Sequence, residues 1–277
     1  MEKEVLNTED LGYVRKLVRT RSAIVLEPEK AYLVHSRLEP LAKNEGLASL
    51  AELVKKLRSG PYGALHKKVV EAMTTNETSF FRDLTPFQVL REHLLPEIIA
   101  RKGGSKRLTM WCGASSSGQE PYSVMFTIYE HFPEIKDWVL QYTATDISEE
   151  MLAKCREGKY SQLEVNRGLP AALLSKYFVK KGMGWQVNED LRRRIDFKPM
   201  NLAGPWLPFP TMDIVFLRNV MIYFDTDTKK QILANIRKIL DPNGYLFLGG
   251  SETTMNVDDH YERVAISGTS CYRVKKG

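Results

Sequence analysis

The densest chemical signal in the chain is the ten-residue stretch Cys112-Gly113-Ala114-Ser115-Ser116-Ser117-Gly118-Gln119-Glu120-Pro121. Its small residues let a ligand come close to the backbone. Gly113 and Gly118 have the spacing of a phosphate-binding G-x4-G loop, but Gln119 and Glu120 stand where lysine and Ser/Thr would contact phosphate and magnesium. A carboxylate at that point repels a triphosphate. The G-x-S-x-G of a nucleophile elbow is out of register here, and the G-x-G-x-x-G of dinucleotide binders is incomplete. What remains is a ligand with a cationic group and few phosphates, or a plain Gly/Ser turn. S-adenosylmethionine, with a sulfonium, an ammonium and no phosphate, has the first chemistry.

Two further segments add to this. Asp146 lies twenty-eight residues beyond Gly118, at the end of the next apolar run. A carboxylate there can accept both hydroxyls of a ribose, or it can simply start the following helix. The run Asp213-Ile214-Val215-Phe216-Leu217 leads directly into Arg218 and Asn219. At the carboxyl end of a strand these two side chains would reach the ligand cleft, or close a loop through a salt bridge. Adenine-amino methyltransferases commonly carry D/N-P-P-Y/F at this point. The sequence Arg218-Asn219-Val220-Met221 argues against base methylation.

The elements that must position these residues follow from periodicity. Up to about residue 70, apolar residues recur at helical spacing (Leu11, Val14, Leu17, Val18; Leu33, Val34, Leu38, Leu41; Leu50, Leu53, Val54, Leu57). This predicts an all-α domain over 1–72. Pro40 is expected to interrupt its second helix, Glu29–Asn44. A linker and connecting helix are expected over 73–105. From 106 to 277 short apolar strands alternate with amphipathic helices, the pattern of an α/β, mostly parallel, Rossmann-like sheet. The runs 261–266 and 270–275, joined by Ser267-Gly268-Thr269, predict a terminal antiparallel hairpin. An insert, about 155–194, carries a predicted small hairpin, Tyr177–Lys181 and Trp185–Val187.

Composition narrows the classes. The hydrophobic content of 43% supports real cores. No apolar run approaches membrane-span length, and the charged N-terminus lacks a signal-peptide pattern. Cys112, Cys155 and Cys271 are few and scattered, which points to a reducing compartment. The five histidines show no ligand spacing, so no metal is expected. The net charge of +6 suits an anionic partner. The run Arg192-Arg193-Arg194 has no interleaved aromatics and reads as a solvated face rather than a nucleic-acid site.

Five segments taken in order resemble the chemotaxis receptor glutamate O-methyltransferase (CheR) family across nearly the whole chain. They are Thr74–Arg82, Ser117–Ser123, Ala144–Ile147, Phe216–Phe224 and Asp241–Glu252. The resemblance implies transfer of a methyl group from S-adenosylmethionine to glutamate carboxylates of chemoreceptors, leaving S-adenosylhomocysteine. It implies Asn76, Thr78 and Arg82 over the cofactor, with Gly118, Glu120, Asp146, Asn201, Leu202, Arg218 and Asn219 lining its site. Glu120 would face the methionyl end, Asp146 the ribose, and Asn201 and Leu202 the adenine. Arg82 and Tyr223 would stand at the reaction centre, Arg82 holding one oxygen of the substrate carboxylate and Tyr223 orienting the other.

The resemblance also implies that the helical domain grips acidic receptor helices. Over residues 1–70 there are thirteen Lys and Arg against nine Asp and Glu, a net of +4. Arg37, Lys43, Lys55, Lys56 and Arg58 are the candidates. The expected partner is thus the cytoplasmic helices of a membrane receptor, met by a cytoplasmic monomer recruited to receptor arrays, with no membrane insertion. The short turn Gly182-Met183-Gly184 argues against tethering to a receptor peptide. The alternatives are a methyltransferase for another substrate class and a non-catalytic cofactor-binding signalling module.

Overall fold

The computed structural model describes residues 6–266, 268, 269 and 271–276. They form two compact units: residues up to Thr75 with Tyr223–Thr228, and Asn76–Ile222 with the chain from Lys229 onward.

The first unit contains α1 (Thr8–Ser22), α2 (Ala31–Asn44), α3 (Leu50–Ser59) and α4 (Ala64–Ala72). Asn7 caps α1 by accepting from the Asp10 N–H at 2.8 Å, and Ser49 caps α3 through the Glu52 N–H at 3.2 Å. Contrary to expectation, α2 runs unbroken through Pro40. An interior proline costs about 3 kcal/mol. Val34, Leu38 and Ala42, each one turn apart, are buried on one stripe, and two such side chains recover about 1.5–3 kcal/mol each. Packing therefore overrides the breaker. The short segment Tyr223–Thr228 joins this unit as Phe224 bridges Ile24 and the Arg19 guanidinium meets Asp225 at 3.1 Å.

The second unit begins with α5 (Thr85–Val89), continued by a π-turn, Leu90–Leu94, into α6 (Leu95–Lys102). Then follow β1 (Arg107–Gly113), α7 (Gln119–His131), β2 (Val139–Asp146), α8 (Glu149–Glu157), β3 (Lys159–Ser161), α9 (Gln162–Asn166), α10 (Ala171–Tyr177), β4 (Phe178–Lys181), β5 (Gly184–Val187) and α11 (Glu189–Arg192). The chain closes with β6 (Ile195–Pro199), β7 (Met212–Leu217), α12 (Thr226–Ile239), β8 (Leu240–Leu248), β9 (Tyr261–Val264) and β10 (Cys271–Val274).

Seven strands form one sheet in the order β6-β2-β1-β7-β8-β10-β9. The first five are parallel, and β10 runs against both β8 and β9. This is the expected parallel sheet with its antiparallel hairpin. Ser267 of the hairpin's predicted connection and Ser270, the first residue of its predicted second strand, lie outside the described residues. Strand β1 alternates as a two-faced strand must. Met110 and Cys112 enter the main core with Tyr122 and Phe126 of α7. Trp111 on the other face meets the rings of Trp206 and Phe209, with centroids 5.0 and 4.9 Å away.

Two departures from the sequence reading have local causes. The stretch Asp241–Gly244, whose Asp-Pro-Asn-Gly sequence predicts a turn ahead of a strand at Tyr245–Leu248, lies within β8. Leu240 pairs with Met212 and Tyr245 with Ile214 across a bulge, and a Cβ at Gly244 would lie only 2.9 Å from the Met212 carbonyl. The insert has three strands, in the order β3-β5-β4, where two were expected. The extra strand depends on Gly184, whose added Cβ would sit 2.6 Å from the Tyr160 carbonyl oxygen. The insert also meets the linker ahead of α5. Gly168, at φ 91°, approaches Phe80 so closely that a Cβ would fall 2.1 Å from the Phe80 carbonyl oxygen, and Arg167 pairs with Glu77 at 2.5 Å.

Candidate functional site

The parallel register β1–β2 places Gly113 opposite Thr145, so the glycine/serine loop and Asp146 emerge at the same edge of the sheet. The loop turns through left-handed backbone at Ala114 (φ 53°), Ser116 (φ 50°) and Gly118 (φ 95°). Asp146 braces it. One carboxylate oxygen accepts the Ser116 N–H at 2.8 Å and the other the Ser148 N–H at 2.9 Å. The Asp146 carbonyl accepts the Met200 N–H at 2.9 Å, which brings Asn201 and Leu202, just past β6, to the same edge. Asn201 accepts from the Ala203 N–H at 3.0 Å, and the Leu202 carbonyl accepts from Trp206 at 2.9 Å. Gly118 is held by packing: a Cβ there would meet Cys155 Sγ and the Tyr160 hydroxyl at 3.0 Å each.

Glu120 lies in the first turn of α7. Its carboxylate is paired with Arg218 and accepts weakly from Cys112 Sγ at 3.5 Å. Burial, reinforced by the neighbouring Glu120 carboxylate, pushes the Cys112 thiol well above its usual range. Arg218 is likewise engaged. Its side chain is 1% exposed, and Nη2 donates to Asp83 at 2.6 Å and to the Arg82 carbonyl at 3.0 Å. Of the two uses foreseen for Arg218, the structure displays the salt bridge that ties a loop in place. Arg218 is a cationic hub between the linker and α7.

Sequence reasoning missed one residue of this edge. Glu252, four residues past β8 and 6% exposed, accepts four backbone N–H groups. One oxygen takes Asn219 at 2.8 Å and Gly249 at 2.6 Å, and the other takes Val220 at 2.9 Å and Met221 at 2.7 Å. The only signal in the sequence was its place in Gly249-Gly250-Ser251-Glu252, where two glycines precede a carboxylate. Asn219 itself holds φ 58°.

The linker Asn76–Leu84 borders the same edge. The Asn76 carbonyl accepts from the Ser116 hydroxyl at 2.7 Å. Thr78 and Arg82 line a cavity of about 410 Å³ together with Glu77, Asp83, Arg167 and Gly168. Arg82 is half-buried, and its Nη1 donates to the Glu77 carbonyl at 3.0 Å. The edge thus holds the carboxylates of Asp83 and Glu120 on the buried cation Arg218, and those of Asp146 and Glu252 on backbone N–H groups. An edge this rich in carboxylates opposes a polyphosphate and is compatible with a cationic nucleoside.

Other predicted residues have different surroundings. Tyr223 ends a 3-10 turn, Met221–Tyr223, belongs to the first unit, and its carbonyl accepts the Val25 N–H at 2.9 Å. In that unit Arg37 ties down the end of α4, donating to the Met73 and Thr74 carbonyls at 2.8 and 2.9 Å and to Thr75 Oγ1 at 2.9 Å. Arg58 pairs with Glu9 at 2.7 Å and Asp10 at 3.2 Å. These two arginines serve the fold of their own unit. Lys43, Lys55 and Lys56 are exposed.

Comparison with known proteins gives a consistent result. The family model described as "CheR methyltransferase, SAM binding domain" matches residues 76–269, and "CheR methyltransferase, all-alpha domain" matches residues 9–74. The chain is 43% identical over 271 residues to the chemotaxis protein methyltransferase Cher2 of Pseudomonas putida, covering 96% of this chain and 98% of that protein. It is likewise 43% identical over 271 residues to chemotaxis protein methyltransferase 1 of Pseudomonas aeruginosa, with the same coverage. It is 31% identical over 282 residues to the chemotaxis protein methyltransferase of Escherichia coli, covering 99% of this chain and 94% of that one.

Proposed function

The chain belongs to the CheR methyltransferase family, and from that membership we propose that it transfers the methyl group of S-adenosylmethionine to glutamate side-chain carboxylates of chemoreceptors. The coarser activity, S-adenosylmethionine-dependent methylation in chemotaxis, accords with its family-model matches and its curated relatives. The observation that carries the reading is the edge of the sheet where Asp146 braces a small-residue loop lacking any phosphate ligand.

When bound, the cofactor supplies an electrophilic methyl group on a sulfonium. The chain's own residues bind and orient. Asp146 would hold the ribose, and Asn201 and Leu202 the base. Thr78, Asn76 and Asn219 would close the site around the rest, on a frame that Glu120 and Arg218 keep in place. A glutamate carboxylate, with an ordinary pKa of about 4.3, is already ionised near neutral pH, so the reaction needs no general base. It needs alignment of the attacking oxygen with the methyl carbon, and positioning supplies much of such a rate. Arg82, on a cavity wall beside Thr78, can hold one substrate oxygen through a charge-assisted hydrogen bond.

The substrate side falls to the first unit, where Lys43, Lys55 and Lys56 are available to acidic receptor helices. The protein would act in the cytoplasm as a monomer at receptor arrays. Among the described residues no helix is long and apolar enough to cross a membrane.

The test is methylation of receptor-containing membranes with radiolabelled cofactor. Glutamyl methyl esters release methanol in mild base, and N-methyl products do not. Base-labile label on a receptor is expected, and its absence across a panel of receptors would overturn the proposal.

A further inference from the structure

We propose that Glu252 is a positioning residue for methyl transfer, an internal anion that sets the turn following β7. The inference rests on the cofactor site lying at this edge. Three consecutive N–H groups, Asn219, Val220 and Met221, point at one carboxylate, and Gly249 adds a fourth from the end of β8. Successive backbone N–H groups around a left-handed residue form an anion-binding concavity, and here the anion belongs to the chain. Asn219, at φ 58°, holds the left-handed conformation that asparagine tolerates better than most non-glycine residues. The carboxylate ties that conformation to the two that follow, through the N–H groups of Asn219, Val220 and Met221. Gly249 is its counterpart, since a Cβ there would fall 2.6 Å from Asn219 Nδ2 and 2.7 Å from Glu252 Oε2. The arrangement fixes where Asn219 points and where Arg218, one residue earlier, reaches Glu120 and Asp83.

The Glu252→Gln variant keeps the shape but replaces one acceptor oxygen with an NH2 group facing two N–H donors. The experiment is calorimetric titration of S-adenosylhomocysteine and S-adenosylmethionine into the full-length protein, well below each variant's unfolding transition, together with receptor methylation kinetics. Glu252→Gln is expected to raise the cofactor Kd at least tenfold and to lower kcat, leaving KM for the receptor within twofold. Asp213→Asn serves as the structural control. Asp213 is a buried carboxylate at the opposite end of β7, bonded to the Thr109 N–H at 3.0 Å and to Lys102 at 2.5 Å. It should lower the unfolding temperature and leave the cofactor Kd within twofold. Gly249→Ala, which crowds the same nest without removing the charge, should raise the Kd in the direction of Glu252→Gln and decides the question if Glu252→Gln fails to fold. Unchanged Kd and kcat in the folded nest variants would overturn the proposal, as would an equal Kd rise in Asp213→Asn. A wild-type protein without cofactor affinity would instead refute the functional reading beneath it.

Discussion

Replacing Arg218 by methionine tests the hub at the sheet edge. Its two ion pairs are unequal. Asp83 is half-exposed, with 52% of its side chain accessible, and a solvent-screened pair of that kind contributes about 0–1 kcal/mol. Glu120 is 13% exposed and Arg218 1%. Removing one partner of a buried pair leaves an uncompensated charge and costs about 3–5 kcal/mol. The Glu120 arm should therefore dominate. Arg218→Met should destabilise the methyltransferase unit by about 3–5 kcal/mol, a fall in Tm of about 6–20 °C at roughly 2–4 °C per kcal/mol for a domain of this size. Asp83→Asn should cost under about 1 kcal/mol. Glu120→Gln combined with Arg218→Met should recover at least about 2 kcal/mol relative to the sum of the single changes. Thermal and urea unfolding of wild type, Arg218→Met, Asp83→Asn, Glu120→Gln and the double variant measures all of this. A loss below about 1 kcal/mol for Arg218→Met, or equal losses for Asp83→Asn and Arg218→Met, would refute the reasoning that burial decides which pair matters.

Asp146→Ala should weaken cofactor binding by roughly 10–100-fold, about 1.4–2.8 kcal/mol; a calorimetric affinity equal to wild type removes it from the site. Arg37→Ala should destabilise the helical unit by about 1.5–3 kcal/mol through its lost bonds to the end of α4. Reversing the charge of Lys43, Lys55 and Lys56 together should leave Tm in place and raise KM for receptor membranes; a lowered Tm with unchanged KM would remove them from the receptor-facing surface. Bonds from Lys176 at 2.5 Å and from Tyr177 hold the Glu130 carboxyl below its ordinary value near 4.5. A depressed folded pKa means the contribution is present above the ordinary value and is lost as pH falls through the folded one. Acid unfolding curves of wild type and Glu130→Gln should therefore converge below that range, and parallel curves at every pH would contradict the assignment.

The sheet was legible in the sequence because buried parallel strands read as continuous apolar runs, as Asp213–Leu217 does, and because Gly113 and Asp146 stand at strand ends where turns begin. Strand β3 was not, since three residues with only Tyr160 buried give no periodicity. Pro40 misled because propensity is local and the Val34–Leu38–Ala42 stripe acts through partners elsewhere in the chain. The site was legible as a list of residue types and not as a network. Glu120 and Arg218 are 98 residues apart, and nothing local in either segment announces that they pair. Glu252 carries no side chain-to-side chain signature at all, because its partners are backbone N–H groups, which every sequence supplies. The bonds of Arg37 and Arg58, named as receptor-binding candidates, were hidden for the same reason: their acceptors include main-chain carbonyls.

The contact between Gly168 and Phe80 makes the insert a poor cassette. With backbone meeting backbone at that point, a chimera that borrows residues 155–194 from a homologue inherits a mismatch unless it borrows the segment ahead of α5 as well. The same seam gives anything that tugs on the insert a mechanical handle on the stretch bearing Arg82.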